Sequence, residues 1–194
     1  SYKTWDLNHL NNLYTTWEEA NDPEPLDGVI ITGAPVEHLA FEEVKYWDEF
    51  VNITNEARNS CASTLGLCWA GFALAYLAGV NKTVFDKKLF GVFPLKSLAP
   101  GHPLMGTQDD EFICPQSRFA GLPDLEMEEA QKEGKLNLLA YGKDVGYTIF
   151  ETKDQKQLMH LGHPEYTVHR IISEINRDKE KGDVPPPENF DINC

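Results

Sequence analysis

The stretch Ser63-Thr64-Leu65-Gly66-Leu67-Cys68-Trp69-Ala70-Gly71-Phe72-Ala73 constrains this chain more than any other. A short apolar run of strand character ends at a cysteine, and a helix-forming run of small residues begins directly behind it. A strand that becomes a helix without a connecting loop must bend sharply, which lifts the residue at the bend above the sheet edge. The helix N-terminus beside it offers unpaired N–H groups and a positive dipole end, both of which favour a thiolate. Cys68 is therefore placed as a nucleophile in an α/β protein.

The flanking pattern agrees. Residues 26–35 read as a buried strand ending in a Gly/Pro loop. Between residues 42 and 57, Val44, Trp47, Phe50 and Val51 recur at helical spacing. Residues 63–67 form the next predicted strand and 70–78 the helix after the bend. This alternation predicts an α/β fold with a mostly parallel sheet and flanking helices. Short strands are predicted at 89–93, 111–114, 136–141, 147–151 and 157–161. A last helix is expected over residues 167–181, burying Val168, Ile171, Ile172 and Ile175. Gly182 and then Pro185-Pro186-Pro187 end it. Residues 1–182 are thus expected to form one domain, and residues 183–194 an extended arm.

Composition narrows the partners. At 194 residues the chain suits one well-buried domain. A formal charge of -14 argues against nucleic acid or an anionic membrane, since both require a basic face. No apolar run of transmembrane length and no signal-peptide pattern is present, so a cytoplasmic protein is expected. The four cysteines (Cys61, Cys68, Cys114, Cys194) form no CxxC pair, which fits a reducing compartment. Without a secretory signal, Asn52-Ile53-Thr54 and Asn81-Lys82-Thr83 read as chance matches to the glycosylation pattern.

A nucleophilic cysteine needs a base, and the base needs an orienting group. Leu161-Gly162-His163-Pro164-Glu165-Tyr166 supplies both: a strand ends there, and the proline sets a rigid turn. His163 as base and Glu165 as its partner would complete a Cys-His-Glu triad at the sheet's carboxyl edge. His160 and His163 do not suggest a metal pair, because positions three apart on a strand face opposite sides. No HExxH pattern or cysteine cluster accompanies them, so neither a metal nor another cofactor is expected.

Several motifs occur in order along the chain: 27–37 (DGVIITGAPVE), Cys68-Trp69, Lys88-Leu89-Phe90-Gly91-Val92-Phe93, Asp109-Asp110-Glu111-Phe112, Ser117-Arg118 and Gly162-His163-Pro164-Glu165-Tyr166. Over essentially its whole length the chain resembles the homoserine O-acyltransferases of the homoserine trans-succinylase type. The resemblance implies a flavodoxin-like, class I glutamine amidotransferase-like fold and a role in methionine biosynthesis. It implies Cys68 as acyl-thioester nucleophile, His163 as general base and Glu165 as its partner. Lys88 and Ser117 are implied as substrate contacts, Ser117 favouring homoserine over serine. Arg177 would grip the amino acid's carboxylate, although pairing with Glu174 is the simpler role for an exposed helix arginine.

In that family a glutamate at the position of Glu37 marks users of acetyl-CoA, and a glycine users of succinyl-CoA. Charge agrees, since a second carboxylate repels the succinyl end. The expected oxyanion donors are the backbone N–H groups of Trp69 and Val36. The expected substrates are acetyl-CoA and L-homoserine, and the expected assembly is a homodimer. Serine O-acetylation, homoserine O-succinylation, glutamine hydrolysis and a non-catalytic binding domain remain the alternatives. Three departures stand out. The family reads Cys-Trp-Gly-Ala-Gln where this chain has Cys68-Trp69-Ala70-Gly71-Phe72, and a histidine where it has Gln116. Family members are also longer at both ends, so the chain is expected to be truncated relative to them.

Overall fold

The structure, a computed structural model, describes residues 7–22, 24–106, 110–182 and 185–191. Cys194 and Asp109, singled out in the sequence, lie outside the described residues. A seven-stranded sheet carries the order β1-β2-β7-β6-β5-β3-β4. Its strands are β1 (Gly28–Ile31), β2 (Ser63–Leu67), β3 (Thr83–Ser97), β4 (Glu111–Gly121), β5 (Leu136–Gly142), β6 (Gly146–Thr152) and β7 (Gln157–His160).

The α/β class is as expected, but the sheet is mixed rather than mostly parallel. β7 returns beside β2, so β1, β2 and β7 run parallel. The pairings β7–β6, β6–β5, β5–β3 and β3–β4 are all antiparallel. The physical reason lies in the connections. Only the first half alternates strands with crossover helices, whereas β5 and β6 are joined by a tight turn that permits only antiparallel pairing.

β3 and β4 are also longer than predicted. Pro115 lies within β4, the last strand of the sheet, where a missing N–H costs no ladder bond.

The central helices follow their apolar spacing, whereas in the last helix Ile171 and Ile175 are buried as expected but Val168, in its first turn, is exposed. α3 (Trp47–Ser60) buries Trp47, Phe50, Thr54 and Ala57, with Asp48 and Glu49 in its first turn and Arg58 in its last. α4 (Trp69–Leu77) is buried from Trp69 to Ala75 and packs on β2 and β7. Trp47, Phe50 and Trp69 form one aromatic cluster, with Phe50 edge-on to Trp69 at 5.3 Å between ring centroids.

Gly71 resolves the departure behind the cysteine. A Cβ there would lie 3.1 Å from the Gly66 carbonyl and 3.1 Å from Leu161 Cδ2, so glycine lets α4 press against the sheet. Phe72 fills the core beside it and is fully buried.

Three helices escaped the sequence reading: α1 (Leu7–Leu13), α2 (Trp17–Ala20) and α5 (Asp124–Lys132). α5 carries legible signals, with Asp124 and Glu126 in its first turn, Lys132 in its last, and Gly134 behind it at φ 74°. α6 (Val168–Lys181) is capped by the Thr167 side chain, which accepts from the Arg170 N–H.

The segment after α6 docks rather than trailing free. Glu188 N–H donates to Phe90 O at 2.8 Å, and Val92 N–H donates to Glu188 O at 3.0 Å. Between them Gly91 sits at φ 152°, where any Cβ would strike the Glu188 backbone. Phe190 packs on the cluster of Phe90, Ile171 and Ile175.

Candidate active site

Cys68 occupies the bend between β2 and α4 at φ 51°, ψ -115°, a conformation that costs energy for a residue with a Cβ. The fold holds it there: Cys68 N–H donates to His160 O at 2.8 Å, extending the β2–β7 pairing by one bond. The loop after β1 crosses close by, and a Cβ on Gly33 would lie 3.0 Å from Cys68 Cβ. The thiol is 5% exposed.

Contrary to the expectation of a favoured thiolate, burial pushes the Cys68 pKa up to about 12, with the Glu37 carboxylate raising it further. The Trp69 N–H and the Arg118 guanidinium act in the opposite direction but are outweighed. A helix N-terminus alone does not offset desolvation of a charge. The resting group is a thiol, which can act as a nucleophile only with a base.

His163 and Glu165 stand on the loop after β7. His163 Nδ1 lies 2.8 Å from Glu165 Oε1, and the imidazole stacks on Tyr166 at 4.2 Å between ring centroids. The carboxylate is an acceptor, so Nδ1 carries a proton, and it is Nε2 that holds the lone pair in the neutral tautomer. His163 N–H donates to Pro115 O at 2.8 Å, tying this loop to β4. Cys68, His163 and Glu165 line one cavity of about 780 Å³.

The facing wall of the cavity is polar. Lys88 Nζ donates to Glu174 Oε1 and Asp178 Oδ2, each at 2.6 Å, and all three side chains are buried. Glu174 also accepts from Ser117 Oγ at 2.6 Å, Tyr166 OH at 2.7 Å and Arg177 at 2.7 Å. Burial works to raise the Glu174 pKa, but the donors Lys88, Ser117 and Tyr166 outweigh it and hold it down to about 2. Arg177 is half exposed and also donates to Asp178 at 3.1 Å. The simple pairing with Glu174 and a place on the cavity wall are therefore both present.

Of the residues singled out in the sequence, Cys68, His163, Glu165, Lys88, Ser117, Arg177 and Glu37 share this cavity. The Trp69 N–H lies at the sulfur. Val36 does not join the wall: its side chain packs on the core, and its N–H donates to Ala34 O at 2.9 Å. Gln116 turns inward, fully buried, and accepts from Arg118 Nε at 3.0 Å. The exchange of a histidine for Gln116 therefore falls behind the cavity wall.

Glu174, Asp178 and Tyr166 were missed as cavity groups. Glu174 was read only as a surface partner, although its spacing to Ile171 and Ile175 places it on the buried side of the helix. Among the described residues no group of three or more His, Cys, Asp or Glu could hold a metal ion. Among them also, no helix is long and apolar enough to cross a membrane.

With a cysteine at a strand-to-helix bend and an imidazole–carboxylate pair lining the same cavity, the fold is that of glutamine amidotransferase-like α/β structures. Solved structures bear out the fold. A glutamine amidotransferase from Thermotoga maritima aligns over 84% of this chain and 70% of its own, with a TM-score of 0.65 at 14% identity. The glutaminase domain of Trypanosoma brucei CTPS covers 93% of this chain and 84% of its own, at a TM-score of 0.59 and 12% identity. By sequence the chain belongs to the homoserine O-succinyltransferase family, whose profile matches residues 1–193. Relatives from Streptococcus pneumoniae named homoserine O-acetyltransferase are 39% identical over 190 residues. The match takes in 97% of this chain but 59% of those relatives, so the chain spans little more than half their length.

Proposed function

We propose that the chain carries the catalytic machinery of a homoserine O-acetyltransferase acting by two-step acyl transfer. The observation that carries the proposal is the shared cavity of Cys68, His163 and Glu165 in a member of this family.

His163 Nε2 takes the Cys68 proton as the sulfur attacks the thioester carbonyl of acetyl-CoA. The tetrahedral oxyanion is stabilised by the Trp69 N–H and a backbone N–H of the loop at residues 33–36. The Val36 N–H serves there only if it leaves Ala34 O. The carbon–sulfur bond to CoA breaks, CoA leaves as the thiol with the proton from His163, and acetyl-Cys68 remains. Homoserine then enters, its hydroxyl gives its proton to His163, and its oxygen displaces the Cys68 sulfur, which leaves as the thiol with the proton returned by His163. The product is O-acetylhomoserine. Group transfer from thioester to oxygen ester needs no metal or nucleotide.

The polar wall suits an amino acid. Lys88 and Arg177 face the carboxylate of the acceptor, while the ionised Glu174 faces its ammonium group. Glu37 supports acetyl over succinyl. It is 8% exposed and close enough to Cys68 to raise its pKa, so a succinyl carboxylate would be repelled. The names of the Streptococcus pneumoniae relatives point the same way.

Incubation with acetyl-CoA alone should give a single acetyl adduct by intact mass, absent in Cys68→Ala. A wild-type protein with no adduct, or with a faster succinyl adduct from succinyl-CoA, refutes the corresponding half of the proposal. The fold likeness to a glutaminase domain favours glutamine hydrolysis as the second reading. Ammonia release from glutamine distinguishes it.

A further inference from the structure

His160 ends β7 one residue before the turn that carries His163, and the proposed reaction gives its side chain no part. Its backbone and its ring reach the two sides of the proposed chemistry. The carbonyl accepts from the Cys68 N–H at 2.8 Å. The ring Nδ1 accepts from the Gly162 N–H at 3.1 Å, the residue directly before His163.

An Nδ1 that accepts carries no proton, so the proton of a neutral ring sits on Nε2, which lies 4.0 Å from Cys114 Sγ. Burial pushes the His160 pKa down to about 4, which keeps the ring in this neutral form, with Cys114, His163 and Glu165 as its titratable neighbours. His160 does not line the cavity that holds Cys68 and His163, which rules it out as the base itself. The turn has no room to shift toward β4, because a Cβ on Gly162 would lie 2.8 Å from Cys114 Sγ and 2.8 Å from Pro115 O.

We infer that His160 is a positioning residue: its Nδ1 holds the Gly162–His163 turn and thereby sets the reach of His163 to the Cys68 sulfur, whose backbone the same residue anchors. The inference rests on the proposed role of His163 as base. Its specific content is the place of one acceptor atom. Asparagine carries Oδ1 on Cγ where histidine carries Nδ1, so it can accept from the Gly162 N–H. Glutamine moves its acceptor one carbon further out, and leucine has none.

The test is the rate of iodoacetamide alkylation at Cys68, read by peptide mass from pH 5 to 9, in wild type, His160→Asn, His160→Gln and His160→Leu. A ring that merely filled space would rank the variants by volume and leave the pH dependence unchanged. The inference expects His160→Asn within about threefold of wild type at pH 7. His160→Gln and His160→Leu should fall by about tenfold or more, with reactivity recovered only at alkaline pH, as for a buried thiol without a base. Asparagine and glutamine both bury an amide, so this pair carries the test even where leucine alters stability. Wild-type reactivity in His160→Gln, or loss in His160→Asn equal to that in His160→Leu, overturns the inference. Iodoacetamide needs no acyl donor. A wild type that accepts no acetyl from acetyl-CoA would therefore sink the acyltransferase reading while leaving this ranking of variants intact.

Discussion

The two walls of the cavity are built from opposite halves of the sheet and bury opposite kinds of group. Behind Cys68, α4 packs on β2 and β7 with an apolar surface, and Trp69 to Ala75 are all buried. Across from it, β3, β4 and α6 bury Lys88, Ser117, Glu174 and Asp178 in one hydrogen-bonded network. The dry half raises the thiol pKa, so the proposed reaction requires proton transfer to His163. The polar half presents fixed charges of both signs, which a zwitterion can use only if the network is complete before it arrives. The proposed function thus assigns reactivity and recognition to different halves, which predicts that each can be altered with little effect on the other.

The largest expected effect comes from breaking the polar half. Glu174→Ala leaves Lys88, Arg177, Ser117 and Tyr166 without their common acceptor. Removing one partner from a buried network costs about 3 kcal/mol, softened here because Lys88 keeps Asp178. Denaturant unfolding should show that loss, while alkylation of Cys68 in the folded protein stays near wild type.

Glu174→Gln tests the charge itself. The native pKa is held near 2 against an ordinary 4.5, so the stabilising contribution is complete above the ordinary value and is lost as pH falls toward 2. The stability gap between wild type and Glu174→Gln should narrow through that window. A constant gap would mean that Glu174 acts by shape rather than charge.

A smaller effect is expected at the edge of the polar half, where the C-terminal segment lies along β3. Gly91→Ala places a Cβ against the Glu188 backbone at a φ that alanine tolerates poorly. Loss of the two Glu188 bonds and of Phe190 packing should cost about 1–2 kcal/mol, and proteolysis after α6 should accelerate. Unchanged protection of that segment would show that its bonds to β3 do not hold it.

The dry half was the more legible of the two. Its chemistry follows local rules: the bend at Cys68, the apolar spacing of α3 and α4, and the rigid turn at His163-Pro164-Glu165 each lie within about a dozen residues. The polar half depends on contacts between Lys88 and Glu174, 86 positions apart, which no local pattern encodes. Resemblance to the family names Lys88, Ser117 and Arg177, but Glu174 reads as a surface partner when helical spacing is applied only to the apolar residues Val168, Ile171, Ile172 and Ile175. The mixed sheet was missed for the same reason, since strand direction in β3 to β6 is set by which hairpins pair. The strand expected at 111–114 runs on through Pro115 because β4 is the outer strand, and the proline offers its carbonyl to His163.

The smallest expected effect tests whether the halves are as separate as they appear. Glu37 leaves the loop after β1, in the dry half, yet brings a carboxylate near Cys68 and raises its pKa. Removing that charge in Glu37→Gln should lower the Cys68 pKa, so alkylation at neutral pH should rise a few-fold, about the size expected from one partly screened charge. The main cause of the raised pKa is burial, which this substitution leaves in place, so the thiol should still depend on His163. The same variant removes the repulsion toward a second carboxylate, so succinyl-CoA should gain on acetyl-CoA in adduct formation. The two readouts separate the effects of Glu37: alkylation reports its action on sulfur, and donor preference its action on the acyl chain. A rise in alkylation without a change in donor preference would confine Glu37 to the dry half. A change in preference alone would assign it to recognition and break the division between the two walls.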